Sequence, residues 1–104
     1  MTIQHTVVFR LVHAAGSAQE AEFLRAAVDA LTTIPQVDDF AIRRQVSAKS
    51  DADWQFSMSF ADEADYRAYD EHPQHREFVA TRWQTEVADF QEYDFTTYDV
   101  GALS

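Results

Sequence analysis

Three residues, His5, Tyr69 and His75, are polar or ionisable at positions where the surrounding periodicity asks for an apolar side chain. Unperturbed imidazole titrates at about pH 6.5, so a half-buried histidine takes up and returns a proton at neutral pH, while a phenol donates a hydrogen bond to a developing oxyanion. In an apolar cavity this set suits proton abstraction next to a carbonyl, as in an intramolecular aldol closure or an isomerisation. A histidine of the set would exchange the proton while the phenol donates to the carbonyl oxygen. The same three residues also fit hydrogen-bonded core positions. Chemistry therefore requires that the fold gather them into one pocket.

Other reactive arrangements are weaker or absent. Glu71, His72 and His75 could be imagined as metal ligands, but Pro73 puts His72 at a helix entry and the two imidazoles need not face the same way, so no metal is expected. Asp38-Asp39 and Asp62-Glu63 read as a turn and a helix start. There is no cysteine, which excludes disulfides and thiolate chemistry, and Gly16 and Gly101 are the only glycines, too few for phosphate-cradling loops or a serine elbow. No cofactor is implied.

The elements that must position the three residues can be read from alternation and helical spacing. From Ile3 to Val12 a period of two sets Ile3, His5, Val7, Phe9 and Leu11 on one face, so His5 points at the layer where helices cover the sheet. Ser17 followed by Glu20 fits a capping box, and Leu24, Ala27, Val28, Leu31 and Ile34 form the buried stripe of the helix it opens, which Pro35 ends. Val37–Val46 predicts a second strand, with Phe40, Ile42 and Val46 on one side and Arg44 among them. In the third strand Trp54, Phe56, Met58 and Phe60 share a face. Asp62 caps a short helix over Glu63–Glu71. Pro73 starts a further helix to about Ala88, on which His75 shares the inward side with Phe78, Val79, Trp83 and Val87. Tyr93–Val100 reads as the last strand and Gly101–Ser104 as a frayed tail.

This order predicts an α+β, ferredoxin-like βαββαβ protomer: one domain over residues 1–104 whose four-stranded antiparallel sheet carries its helices on one face. The opposite sheet face, with Val8, Val12 and part of the aromatic last strand, would be left bare, and pairing with a second copy removes that exposure. A homodimeric α+β barrel is the expectation. With 18 acidic residues against 8 basic ones and a net charge of −10, nucleic acid and anionic membrane surfaces are not expected partners. No apolar run is long enough to span a bilayer, and a cytoplasmic location is the default expectation.

The segments His5-Thr6-Val7-Val8-Phe9, Ile34-Pro35-Gln36-Val37, and Tyr69 with His72-Pro73-Gln74-His75 resemble the stress-responsive dimeric A/B barrel (Dabb) family over Ile3 to about Asp99. The resemblance implies a dimeric barrel. In members acting as polyketide cyclases, a histidine of the HP-x-H element is the base and a tyrosine lies just upstream; the matching positions here are His75 and Tyr69, and His5 matches the first-strand histidine lining the same pocket. The roles of Arg44, Ser57 and Ser59, as interface or pocket groups, stay open. Three readings follow: a dimer binding a small, largely apolar molecule, a cofactor-independent cyclase or isomerase, and a structural dimer whose cavity is filled by its own aromatics.

Overall fold

The computed structural model describes residues Met1 to Ser104. The strands are β1 (Ile3–Leu11), β2 (Asp38–Arg44), β3 (Trp54–Phe60) and β4 (Val87–Phe95). The helices are α1 (Ala18–Leu31), α2 (Glu63–Glu71), α3 (Pro73–Phe78) and α4 (Gln84–Glu86), with a π-helical turn over Val79–Trp83 and a 3-10 turn over Val100–Leu103. The strands form one antiparallel sheet in the order β2-β3-β1-β4, so the expected α+β ferredoxin-like architecture is present.

Strand register decides which side chains meet beneath the helices. In β1 and β3, His5 lies opposite Met58, Val7 opposite Phe56 and Phe9 opposite Trp54. On the other side of β1, His5 lies opposite Asp94, Val7 opposite Glu92 and Phe9 opposite Phe90. The helix-facing side thus carries aromatic residues at one end and ionisable ones at the other. Phe9, Phe23, Phe56 and Phe60 are fully buried, and Phe9 meets Phe56 edge-on at 4.6 Å between ring centroids. Truncating such a side chain costs about 3–5 kcal/mol.

Several local features differ from expectation for identifiable reasons. Strand β4 begins at Val87, six residues before Tyr93, because its pairing with β1 begins at Leu11 opposite Val87; Ala88 is passed over as the register shifts between Arg10 and Leu11. Strand β2 is confined to Asp38–Arg44, and Val46 is 86% exposed rather than inward. An extra residue enters β2 between Asp38 and Ala41, where Asp39 adopts φ 54°, a left-handed conformation that aspartate tolerates. Val28, placed in the α1 stripe by spacing, is exposed, and Phe23 takes the buried position instead. The tail forms a 3-10 turn whose cap, Asp99, accepts from the Gly101 amide.

The α1 cap is also altered. Ser17 Oγ accepts the Glu20 amide at 3.2 Å, as a capping box requires. The Glu20 carboxylate does not return to Ser17; it accepts from the Gly16 amide at 3.0 Å and from Trp54 Nε1 at 3.3 Å. Helix start and β3 are thereby tied together by a buried carboxylate. Arg44 stacks over the Trp54 ring at 4.4 Å, and Ser57 accepts from Arg43 at 2.6 Å on the outer face.

Candidate functional site

A cavity of about 570 Å³ lies between the sheet and α2, α3 and the π-turn, within the size range of small-molecule sites. Ten of its fifteen lining residues are hydrophobic, Tyr69 counted among them, and the other five are His5, Asp70, His75, Gln84 and Glu92, so the cavity is mostly apolar with polarity concentrated in a few groups. His5, Tyr69 and His75 all line it. Its aromatic residues wall the cavity without filling it. Arg44, Ser57 and Ser59 are not among its lining residues.

Each of the three residues arrives by a different route. His5 is carried inward by β1 alternation. Tyr69 is the one buried residue of α2, and His72 ends that helix and caps the next by accepting the Gln74 amide on Nδ1 at 3.1 Å. His72 is therefore spent on a helix junction, and nowhere do three or more His, Asp or Glu side chains gather to hold a metal ion. Pro73 fits the first helical position, and His75 follows in the first turn of α3.

The expected continuous helix to Ala88 is interrupted by the π-turn, where the Gln84 amide bonds to the Val79 carbonyl. The interruption explains a spacing that an α-helix does not accommodate. Phe78 and Trp83, five residues apart, would stand about 140° apart around a regular helix. Here both line the cavity, with ring centroids 6.5 Å apart.

The geometry of His75 defines its protonation. Its Nδ1 lies 3.1 Å from the Asp70 carbonyl oxygen, which only accepts, so Nδ1 carries the hydrogen and Nε2 keeps its lone pair. Burial lowers the His75 pKa, opposed by the Asp70 carbonyl contact, so the neutral form is favoured. The His75 ring sits 4.3 Å from the Tyr69 ring, centroid to centroid. Tyr69 is only 4% exposed, and burial raises its pKa, which keeps the phenol protonated and able to donate. No group of the chain hydrogen-bonds its hydroxyl, in contrast to the other inward tyrosine.

That other tyrosine, Tyr66, belongs to a group that sequence reasoning missed. His5 Nδ1 lies 2.7 Å from Asp94 Oδ1 and 2.9 Å from the Tyr66 hydroxyl, which donates to Asp94 Oδ2 at 3.0 Å. The ring of contacts closes if His5 Nδ1–H is shared between the carboxylate and the phenol oxygen. His5 Nε2 faces Glu92 at 3.6 Å. Burial, followed by the Asp94 hydrogen bond, raises the Tyr66 pKa. His5 is therefore held by Asp94 and Tyr66 and has no hydrogen bond to Tyr69 or His75. The three-residue spacing of Tyr66 and Tyr69 on one helix was an available signal; Glu92 required the correct start of β4, and Asp94 its register against β1.

The model of the stress responsive A/B barrel domain matches residues 3–97. The chain belongs to this family. A Dabb family protein with a ferredoxin-like fold from Mesorhizobium loti is 45% identical to this Dabb chain, with a TM-score of 0.93 over 94% of this chain and 98% of that one. A dimeric ferredoxin-like protein of unknown function from Thermobifida fusca is 24% identical at a TM-score of 0.77, covering 93% of this chain and 92% of that one. The hydroxynitrile lyase of Passiflora edulis shares the fold at a TM-score of 0.81 with 12% identity, covering 95% of each chain. The comparison with curated proteins returned no match. No helix of this Dabb protein is long and apolar enough to cross a membrane.

Proposed function

We propose that this Dabb protein is a homodimer in which each protomer holds a small, largely apolar molecule beneath the sheet, with a polar group of that molecule directed at Tyr69 and His75. The carrying observation is Tyr69, a buried residue at the wall of an apolar cavity whose hydroxyl has no partner in the chain. A phenol set in an apolar wall is suited to bond the polar handle of a bound molecule, and a carbonyl or hydroxyl on that molecule supplies the partner. Dimerisation is supported by the outer sheet face, where Tyr93 and Phe95 are 44% and 51% exposed, and by the dimeric relative from Thermobifida fusca.

Native mass spectrometry on gently purified protein is expected to show a dimer retaining a small-molecule adduct. A monomer at micromolar concentration overturns the assembly. Tyr69 and His75 resonances that stay fixed against a panel of small aromatic ketones and alcohols overturn the cavity reading.

A second reading is favoured by the Asp70 contact to His75: a neutral imidazole with a fixed tautomer beside a protonated phenol is equipped for cofactor-independent proton transfer. His75 Nε2 would take the proton next to a carbonyl while Tyr69 donates to the oxygen, giving an enol-like intermediate that closes or isomerises. Solved proteins of the same fold include a hydroxynitrile lyase and a cofactor-independent oxygenase from Streptomyces nogalater. Exchange of the carbon-bound proton of a bound aryl ketone in heavy water, abolished by His75→Ala with the fold intact, is the expected result. Exchange equal to that of the variant removes the catalytic reading and leaves binding.

A further inference from the structure

We infer that the molecule held in this cavity carries a positively charged nitrogen, a lipophilic amine or ammonium, and that Glu92 is the residue that selects it. The inference rests on the cavity reading above and adds the ligand's charge. The lining includes Asp70 and Glu92 but no lysine or arginine. Glu92 stands opposite Val7 on the inward face of β4, with its carboxylate 3.6 Å from His5 Nε2 and its side chain 54% exposed.

Asp94, at the next inward position of β4, lies 2.7 Å from the other nitrogen of the same imidazole. Two carboxylates and one histidine sum to −2 when His5 is neutral and to −1 when it is protonated, since +1 − 2 = −1. The polar end of the cavity therefore keeps excess negative charge in either state. A carboxylate or phosphate ligand is repelled there, whereas an ammonium gains a charge-assisted hydrogen bond to Glu92.

The rest of the wall suits a cation attached to an apolar body. Phe90 precedes Glu92 by two residues on the same strand face and meets Trp83 edge-on, with ring centroids 5.5 Å apart. Tyr69, 4% exposed, lines the cavity with its hydroxyl unpartnered. Aromatic rings attract cations through their quadrupoles, and a carboxylate among several rings is the arrangement by which alkylammonium groups are recognised. The charge of Glu92 also reaches across the cavity, disfavouring ionisation of Tyr66 and Tyr69 and favouring protonation of His75.

Three probes of similar shape separate the alternatives: 1-naphthylmethylamine, 1-naphthalenemethanol and 1-naphthoate, titrated into the full chain at neutral pH and physiological salt, with binding located by the His75 and Trp83 resonances. The amine is expected to bind at least about tenfold more tightly than the alcohol, with the naphthoate weakest, and Glu92→Gln is expected to bring the amine-to-alcohol ratio close to unity. Naphthoate binding as well as the amine, an amine preference that survives Glu92→Gln, or amine binding that leaves His75 and Trp83 unmoved overturns the inference while leaving the cavity reading to the alcohol. If none of the three perturbs His75 or Trp83, the cavity reading falls and the charge selection falls with it.

Discussion

His5 Nδ1 lies 2.7 Å from Asp94 Oδ1 although 89 residues separate them, because β1 and β4 lie side by side with these two residues directly opposed. The contact fixes one end of the cavity by joining the first strand to the last. Tyr66, donating to the other carboxylate oxygen, adds α2 to the same junction.

Removing the carboxylate should loosen all three elements. Asp94→Ala is expected to cost about 1 kcal/mol, at the low end for a charged hydrogen-bond partner because the Asp94 side chain is 48% exposed to screening solvent. Tyr66→Phe in the same background should cost less than it does alone. A double-mutant cycle by urea denaturation that gives strictly additive losses would show that the contacts do not act as one unit.

His75 gives stability a pH dependence of defined sign. Its folded pKa is lowered by burial, so between the folded and unfolded values the unfolded chain binds more protons than the folded one. Stability is expected to fall as pH drops through about 6.5, the unfolded value, and to level off below the folded value. The difference in unfolding free energy between wild type and His75→Gln, followed from pH 8 down to pH 5 (about the span in which histidine titrates), should carry this slope. A difference that is flat with pH rejects it.

At the alkaline end Tyr66 and Tyr69 act in the opposite direction. Both have folded pKa values raised above the ordinary value, so the unfolded chain loses their protons first and stability declines as pH climbs above about 10. Ultraviolet titration of tyrosinate should show these two phenols ionising together with loss of the folded near-ultraviolet dichroism. Ionisation of both while that signal persists contradicts the burial argument.

Tyr69→Phe should separate stability from binding. The hydroxyl has no partner in the chain, so its removal is expected to change unfolding free energy by no more than about 0.5 kcal/mol. Affinity for a carbonyl-bearing probe should fall under the same substitution. Loss of stability with unchanged affinity would assign the phenol to the core instead of the site.

Glu20 offers the contrasting case of a buried carboxylate with a structural task. Glu20→Ala leaves the Trp54 indole N–H and the Gly16 amide without their acceptor and is expected to cost about 1–3 kcal/mol. Glu20→Gln, which keeps an acceptor oxygen, should recover part of the loss in thermal or urea denaturation.

Much of the architecture was legible because alternation in β1 and β3 is strong: His5, Val7 and Phe9 face Met58, Phe56 and Trp54 as their spacing requires. His5, Tyr69 and His75 could be nominated because each interrupts an apolar pattern, and all three line one cavity. The start of β4 was not legible, since Val87 fits a helical stripe as well as a strand and only pairing with Leu11 decides between them. The misplaced start left Glu92 outside the expected strand, and the pairing of Asp94 with His5 follows only from register. The π-turn was hidden for a related reason: Phe78, Val79, Trp83 and Val87 satisfy an approximate helical stripe by eye, and the five-residue step becomes visible only when Phe78 and Trp83 are found on the same wall.

The π-turn gives this wall a tolerance of length. Deleting one residue between Val79 and Trp83 would restore ordinary winding and leave Trp83 four positions after Phe78, about 40° from it around a regular helix. A substitution exchanges one lining group, whereas such a deletion removes the extra residue of the turn and keeps Trp83 on the surface it shares with Phe78. This wall can thus lose one residue of length in a single genetic step and still present the side chains that follow on the same face.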